Sequence, residues 1–296
     1  WHQRVKPLSR SSPPGIALLG FACDEGIHRN NGRTGAADGP RAIRQALANL
    51  AWHHPNPVFD ASDVVCPNGD LEGAQNRLRQ CVLDAILAKQ RPLVLGGGHE
   101  SAWGTYRGLL QAVQKIDPKL HVGIVNLDAH FDLRADPRGT SGTPFSQIAG
   151  WCHENDRMFH YLCLGISEAS NTAALFDRAK RFGVEWRLDA DLGMWRLDDT
   201  VDAVAAFAEK VGVIHLSIDL DVFSGSIMPA VSAPAARGVS LEAVEAIVAT
   251  LLATGKVCVA EIVELNPALD IDDRGARTAA ALVWQIAKNW PVLAAD

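Results

Sequence analysis

Three short stretches of the chain carry carboxylates and imidazoles, and each follows directly after an apolar run. They are residues 96–100 (GGGHE), 126–132 (NLDAHFD) and 217–221 (SIDLD). Side chains two positions apart on an extended backbone point the same way, so the ionisable residues of each of the last two stretches share a face. Acids gathered at the ends of core strands would repel one another and would be costly to desolvate. A cation removes this conflict, so the pattern predicts a metal site, and one that holds two metals.

The ligand types narrow the choice of metal. Four carboxylates and two imidazoles suit Mn²⁺ or a similar divalent ion. Structural zinc is disfavoured because no cysteine joins the group. Six ligands exceed one tetrahedral site and suffice for two metals about 3.5 Å apart, which lower the pKa of a water held between them. A single Asp after a strand often only caps a helix or a turn. Here, however, potential ligands follow three separate strands, which such caps alone do not explain. The predicted ligands are His99, Asp128, His130, Asp132, Asp219 and Asp221.

The elements that must position these residues alternate along the chain. Strands that are apolar on both faces and separated by helices predict an α/β fold of three layers, α/β/α, with a mainly parallel central sheet. In such sheets ligands bind beyond the carboxyl ends of the strands, where the motifs fall. No linker interrupts the pattern, which predicts one domain over residues 1–296. Strands are predicted over residues 15–21, 92–95, 121–126, 159–164, 213–218 and 257–263, and helices over residues 41–50, 71–90, 103–113, 172–182, 241–254 and 278–287.

Composition argues against several classes of function. The chain has 296 residues, 48% hydrophobic and 21% charged, and its net charge of −6 is spread without a block of like charges, which argues against a nucleic-acid partner. An anionic small substrate stays compatible with this charge. No apolar run approaches the ~20 residues of a membrane span, and the first residues lack the apolar core of a signal peptide. The six cysteines are scattered along the chain and form no C-x-x-C pair. This pattern is typical of reduced thiols rather than of a disulfide framework. We therefore expect a cytoplasmic protein.

The motifs together resemble those of the ureohydrolase family, the arginases and agmatinases. The matching pieces lie in the family's order at residues 96–100, 128–132, 217–221 and 261–267. Within the family the chain is most similar to the formimidoylglutamases of histidine degradation. With the pieces of this narrower match, the resemblance covers nearly the whole chain. Those pieces are residues 24–26 (DEG), 31–33 (NGR), 131–134 (FDLR), 141–145 (SGTPF) and 232–238 (SAPAARG).

The resemblance implies an arginase-like fold and a cofactor of two Mn²⁺ ions per chain. It also implies hydrolysis of a C–N bond at an amidine or guanidine carbon by a hydroxide that bridges these ions. Two carboxylates, Asp128 and Asp219, would bridge the metals. One metal would be held by His99, Asp128, Asp132 and Asp219, and the other by Asp128, His130, Asp219 and Asp221.

Two acids are implied to act in the reaction itself. Asp132 would hold the hydroxide and pass its proton to the leaving amine. Glu264 would grip the planar cationic end of the substrate, since a carboxylate pairs with two parallel N–H donors. Arginases and agmatinases carry a proton-shuttle His before a Gly in the loop after the D-A-H-x-D motif, whereas this chain has residues 141–144 (SGTP), with Ser141, in the comparable loop. This difference weakens an arginase or agmatinase assignment and leaves the proton relay open.

The predicted substrate is N-formimidoyl-L-glutamate, a small amidine that also carries two carboxylates. Such a substrate requires cationic groups at the pocket, which Arg serves best. Arg33, Arg134 and Arg237 lie in loops expected around the carboxyl end of the sheet, and Asn171 would add a polar contact at a helix start. The same chemistry on guanidinobutyrate, another guanidino acid or agmatine is an alternative, as is a metal-binding scaffold without turnover. The resemblance also implies a homo-oligomer.

Overall fold

A single parallel sheet organises the part of the chain that the structure describes. The computed structural model describes residues 1–193 and 196–293, and their nine strands pair only in parallel, in the order β1-β3-β2-β4-β9-β8-β5-β6-β7. The strands are β1 (Lys6–Pro7), β2 (Ile16–Ala22), β3 (Val58–Val65), β4 (Arg91–Leu95), β5 (Val122–Leu127), β6 (His160–Ile166), β7 (Glu185–Leu188), β8 (Val213–Asp219) and β9 (Val257–Val263).

Helices cover both faces of this sheet. Successive residues of β4 alternate between two apolar cores, with Leu93 and Leu95 in one and Val94 in the other, as the two-residue period of a strand requires. The first core is completed by α2, α7, α8 and α9 and the second by α3 to α6, which confirms the three-layer α/β/α prediction. The helices are α1 (Glu25–Arg29), α2 (Gly39–Ala48), α3 (Leu71–Leu87), α4 (Ser101–Ile116), α5 (Pro144–Glu154), α6 (Ala173–Arg181), α7 (Leu197–Glu209), α8 (Leu241–Ala253) and α9 (Arg274–Asn289).

Each predicted strand and helix is present, but three strands and three α-helices in the described part of the chain were not predicted. The shift at an element end is largest for α9, which begins at Arg274 rather than at residue 278. The unpredicted elements are β1, β3, β7, α1, α5 and α7. Strand β7 lies at the sheet edge and alternates between exposed and half-buried residues, so it lacks the apolar run that marks a core strand.

The strand order brings the ionisable motifs to one place. Strands β4, β9, β8 and β5 are neighbours in the centre of the sheet, and their carboxyl ends lead into residues 96–100, 264–267, 219–221 and 128–132. The turn after β4 packs tightly, because a Cβ at Gly97 would overlap the carbonyl oxygen of Cys23. Only glycine fits this approach, which carries His99 to the end of the sheet.

No helix among the described residues is long and apolar enough to cross a membrane.

Candidate metal centre

The six predicted ligands lie together in two overlapping clusters. In the first, one potential ligand atom from each residue lies within 4.8 Å of those of the others, and the same holds for the second. Asp128 belongs to both clusters, while Asp219 belongs to the first. The first consists of His99, Asp128, Asp132 and Asp219, and the second of Asp128, His130 and Asp221.

The Nδ1 atom of His99 marks the centre of the first cluster. It lies 3.3 Å from a carboxylate oxygen of Asp128, 3.0 Å from one of Asp132 and 3.1 Å from one of Asp219. None of these contacts has the geometry of a hydrogen bond, and the atom is buried without a partner. On the other side of the ring, Nε2 lies 2.9 Å from Oγ of Ser217. A buried nitrogen and three oxygens facing one another leave the position for a cation between them.

The second cluster is centred on His130. Its Nδ1 lies 3.0 Å from Oδ2 of Asp221 and 3.6 Å from Oδ1 of Asp128. The carboxylate of Asp128 is fully buried, and it accepts hydrogen bonds from the backbone N–H of His130 at 2.6 Å and from Nδ2 of Asn126 at 2.9 Å. Asp219 likewise accepts one from the backbone N–H of Asp221 at 2.8 Å. These bonds fix the carboxylates in place before any ligand binds.

The electrostatics of this site call for positive charge. Burial and the neighbouring acids raise the pKa values of Asp219 and Asp132 above the usual range. Burial would lower the pKa of His99, but the carboxylates of Asp128, Asp132 and Asp219 raise it well above its usual value. Without a cation the cluster therefore holds protons. Oxygen and imidazole donors at this density fit divalent ions such as Mn²⁺.

A fifth acid, Glu264, stands beside the ligands. It follows directly after β9 and adopts a left-handed backbone, with φ of 72°, a conformation that is rare for a residue of this size. Its Oε1 accepts a hydrogen bond of 2.8 Å from the backbone N–H of His99. Burial and the charges of Asp219 and Glu100 raise its pKa well above the usual value.

A small cavity of about 80 Å³ opens onto these groups. Its inner wall is acidic, while its rim is polar and includes one cationic side chain, that of Arg134. A cavity of this volume holds a small planar group and leaves the rest of a larger molecule at the rim. The lining residues are Asn30, Gly32, His130, Asp132, Arg134, Ser141, Asp219, Asp221, Ser232, Ala233 and Glu264.

Comparison with known proteins assigns the chain to a family. The model of the Arginase family matches residues 14–288. The chain belongs to the arginase family. The formimidoylglutamase of Chromobacterium violaceum is 50% identical over 289 residues, which cover 98% of this chain and 92% of that protein. The formimidoylglutamase of Aromatoleum aromaticum is 48% identical, with 98% and 87% covered. The predicted resemblance is thereby confirmed.

Solved structures of the arginase family share the fold. Trypanosoma cruzi formiminoglutamase with Mn²⁺ superposes with a TM-score of 0.82 at 26% identity, over 93% of this chain and 92% of that one. Bacillus subtilis arginase gives a TM-score of 0.80 at 26% identity, over 92% and 98%. The first of these structures holds Mn²⁺, whereas for this chain the donor set itself indicates a metal.

The predicted substrate-binding arginines of this arginase-family chain occupy different environments. Arg134 lines the cavity, and its Nη1 donates to Oδ1 of Asn30 at 2.9 Å. The guanidinium of Arg33 donates instead to the backbone carbonyls of Val231 and Ser232, at 2.8 and 2.9 Å. Arg237 is exposed and is not among the lining residues. Arg134 therefore faces the cavity, whereas Arg33 is bonded to the backbone of the rim. The substrate-binding roles of Arg33, Arg134 and Arg237 stay predictions.

Asn171 lies behind the metal ligands, away from the cavity lining. Its Oδ1 accepts from the backbone N–H of Phe131 at 3.2 Å, and its Nδ2 donates to the carbonyls of Ala129 and Ser167 at 2.9 and 2.8 Å. The side chain is only 6% exposed. These bonds hold the loop that carries His130, whereas the substrate contact predicted for Asn171 stays a prediction.

Other residues at the site were not predicted from the sequence. Asn30 and Ser232 line the cavity, although neither belongs to a motif in which ionisable residues alternate. Asn30 connects two rim loops, because its Nδ2 also donates to Oγ of Ser141 at 3.1 Å. Loop residues of this kind give no periodic signal, and only the tertiary fold brings them together.

Proposed function

We propose that this chain hydrolyses N-formimidoyl-L-glutamate to L-glutamate and formamide with the help of two Mn²⁺ ions. The observation that carries the proposal is its 50% identity, over 98% of its length, to a protein named formimidoylglutamase. The geometry supports the same reading, because an acidic inner wall and an arginine at the rim match a substrate with a cationic amidine at one end and carboxylates at the other.

In this proposal the two clusters hold the metals. His99, Asp128, Asp132 and Asp219 would bind one ion, and Asp128, His130 and Asp221 the other, with Asp219 proposed as a second bridging ligand. Bound Mn²⁺ would lower the pKa of water so that hydroxide is available near neutral pH, and would stabilise negative charge that develops during hydrolysis.

Two acids of the chain would orient the substrate and transfer the proton. Glu264, fixed by its bond to the backbone of His99, would accept two parallel N–H donors of the amidinium and so orient the formimidoyl carbon. Asp132, which lies at both the cavity and the first cluster, would take the proton of the attacking water. Water adds to the formimidoyl carbon, the bond from this carbon to the glutamate nitrogen breaks, and Asp132 returns the proton to the leaving amine.

The rim favours an acidic substrate over agmatine. Among the described lining residues the rim offers Arg134, Asn30 and Ser141, which suit a carboxylate and would repel or leave unpaired the distal ammonium of agmatine. Guanidinobutyrate also carries a carboxylate, so it is the stronger of the alternative substrates. Homo-oligomerisation and a cytoplasmic location stay predictions.

The test is release of glutamate from N-formimidoyl-L-glutamate by the Mn²⁺-loaded protein, with arginine, agmatine and guanidinobutyrate in parallel. We expect turnover with the first compound and a loss of at least about 100-fold in kcat on Asp132→Asn, since general acid–base groups contribute roughly that factor. Asp136→Asn, at an exposed acid of the same loop, is the matched control. Turnover on a guanidine alone would refute the substrate assignment, and bound metal without turnover on any of these compounds would favour the scaffold alternative.

A further inference from the structure

A buried carboxylate that is not a metal ligand lies behind His99. Glu261 of β9 is fully buried, and each of its oxygens is close to two donors. Nε2 of His215 lies 2.7 Å and Oγ of Ser217 3.0 Å from Oε1, while Ser101 and Thr105 of α4 donate to Oε2 at 2.9 and 3.0 Å. All four partners are buried as well. An ionised carboxylate kept in the core at this density of bonds calls for a reason beyond packing, because apolar residues fill such a space at less cost.

The donors and acceptors around Glu261 determine which nitrogen of His99 carries a proton. Burial raises the pKa of Glu261, but His215 and the hydroxyls more than offset it, so its pKa lies below the usual value and both oxygens act as acceptors. A serine hydroxyl has one proton, and that of Ser217 is donated to Glu261. Ser217 must therefore accept from Nε2 of His99, 2.9 Å away. Nε2 then carries the proton.

We propose that Glu261 is a positioning residue for the metal centre. Acting through Ser217, it fixes the His99 ring in the tautomer in which Nδ1 is unprotonated and faces the three carboxylates. The proposal rests on the proposed function in so far as His99 is taken as a metal ligand. If Ser217 lost its acceptor, its hydroxyl could turn and donate to Nε2, and Nδ1 would then carry the proton and cease to be a ligand. A charged acceptor at the end of the chain also makes His99 a stronger base.

The strand register places the residues of the relay, by which we mean the hydrogen-bonded path from Glu261 through Ser217 to His99. Ser217 of β8 pairs directly with Glu261 of β9, and His215 lies two positions earlier on the same face of its strand. Ser101 and Thr105 stand one helical turn apart on α4, so they reach the second oxygen together. The relay thus belongs to the rigid centre of the fold, which suits a group that must hold a ligand in one orientation.

The test measures Mn²⁺ affinity, by titration of the metal-free protein in a calorimeter and by metal content after gel filtration. Loss of a partner that orients a metal-bound His typically costs about 10–100-fold in affinity, so we expect such a loss at one of two sites in Ser217→Ala and about tenfold in Glu261→Gln. Thr105→Val is the matched control, since it removes a hydrogen bond to the same carboxylate off the path to His99. Its Mn²⁺ affinity should stay within about twofold of the wild type.

The double variant Ser217→Ala/Glu261→Gln separates the relay from a direct effect of charge. If Glu261 acts through Ser217, the double variant binds Mn²⁺ no more weakly than Ser217→Ala alone. Additive losses, or wild-type affinity in both folded single variants, would overturn the proposal. If circular dichroism shows that Ser217→Ala does not fold, Glu261→Gln against Thr105→Val decides, and equal affinities overturn it. A wild-type protein that binds no Mn²⁺ would overturn the proposed function as well, which distinguishes the two failures.

Discussion

Both acids proposed to act on the substrate adopt a left-handed backbone. Asp132 has φ of 48° and Glu264 has φ of 72°. Asp tolerates this region, but for a longer side chain such as Glu it costs free energy that the surrounding structure must offset. Each residue lies in a motif at the carboxyl end of a strand, and each lines the cavity. Such strain fits a residue kept in place for chemistry rather than for folding.

Glu264 offers a test at the scale of one residue. Glu264→Gln keeps the volume and one acceptor for the N–H of His99 but removes the charge and one acceptor facing the amidinium. Hydrogen bonds to charged groups contribute about 1.5–3 kcal/mol each, so we expect kcat/KM to fall by about 100-fold. Mn²⁺ content should stay unchanged, because Glu264 is outside both clusters. Steady-state kinetics with metal analysis checks this, and a variant with wild-type kcat/KM would remove Glu264 from the substrate site.

Single substitutions also distinguish the substrate-binding roles of Arg134 and Arg237. Arg134→Met should raise KM for N-formimidoyl-L-glutamate by about 10–100-fold, the loss expected for one charged hydrogen bond, with a smaller change in kcat. Arg237→Met should change KM less, since Arg237 is exposed and does not line the cavity. Arg138→Met, at an exposed residue of the loop that carries Arg134, is the control. If the Arg237 variant shows the larger rise in KM, the substrate carboxylates bind elsewhere on the rim.

The sequence allowed the metal ligands to be predicted better than the rim. Alternation by two on a strand places Asp219 and Asp221, or Asp128 and His130, on one side whatever the rest of the fold does. The rim instead depends on contacts across the whole chain, such as the bond from the backbone of Arg33 to Ser232. The types of such residues carry no periodicity, which explains why Asn30 was not predicted.

At the scale of elements, apolar runs gave the central strands and the covering helices, but not their order. Motifs after β4, β5, β8 and β9 meet because these strands are adjacent, and no local pattern encodes adjacency. The argument from sequence could use only the rule that ligands gather at the carboxyl ends of parallel strands. Edge strands such as β7 were not predicted because their exposed residues interrupt the apolar run.

The loop that follows β5 shows how elements hold the centre in place. Asn171, just before α6, bonds to the backbone of Ala129 and Phe131, and Tyr161 of β6 donates to the carbonyl of Phe131 at 3.1 Å. The ligands on this loop are thus held by the neighbouring strand and by the turn that follows it. Their orientation is set before metal binds, which limits the entropy lost on binding.

At the scale of the whole molecule, the centre concentrates negative charge in the core of a protein with a net charge of −6. Without metal, burial and neighbouring acids raise the pKa values of Asp132, Asp219 and Glu264. Burial likewise raises the pKa of Glu100 to about 7. The metal-free fold therefore binds more protons than the unfolded chain once pH exceeds the ordinary carboxyl pKa of about 4, and its stability falls as pH rises.

The histidines act in the same direction at higher pH. The carboxylates raise the pKa values of His99 and His130 well above the usual value despite burial, so the stability that these charged rings contribute is complete below about pH 6.5 and is lost as pH rises through their folded pKa values. Asp128 has the opposite sign, since the two histidines outweigh burial and lower its pKa. Its contribution is lost only in acid, below the range considered.

Metal should reverse this dependence, because divalent ions replace the protons and bind more tightly as the ligands deprotonate. We expect the Tm of chelator-treated protein to fall between about pH 5.5 and about pH 8, and the rise in Tm on adding Mn²⁺ to widen over that range. Saturation at 100 times Kd contributes about 2.7 kcal/mol per site, which corresponds to about 5 °C or more for two sites. Differential scanning fluorimetry with and without Mn²⁺ measures both curves, with Mg²⁺ as a control ion. A difference that stays constant or narrows with pH would mean that the buried acids do not hold the metal.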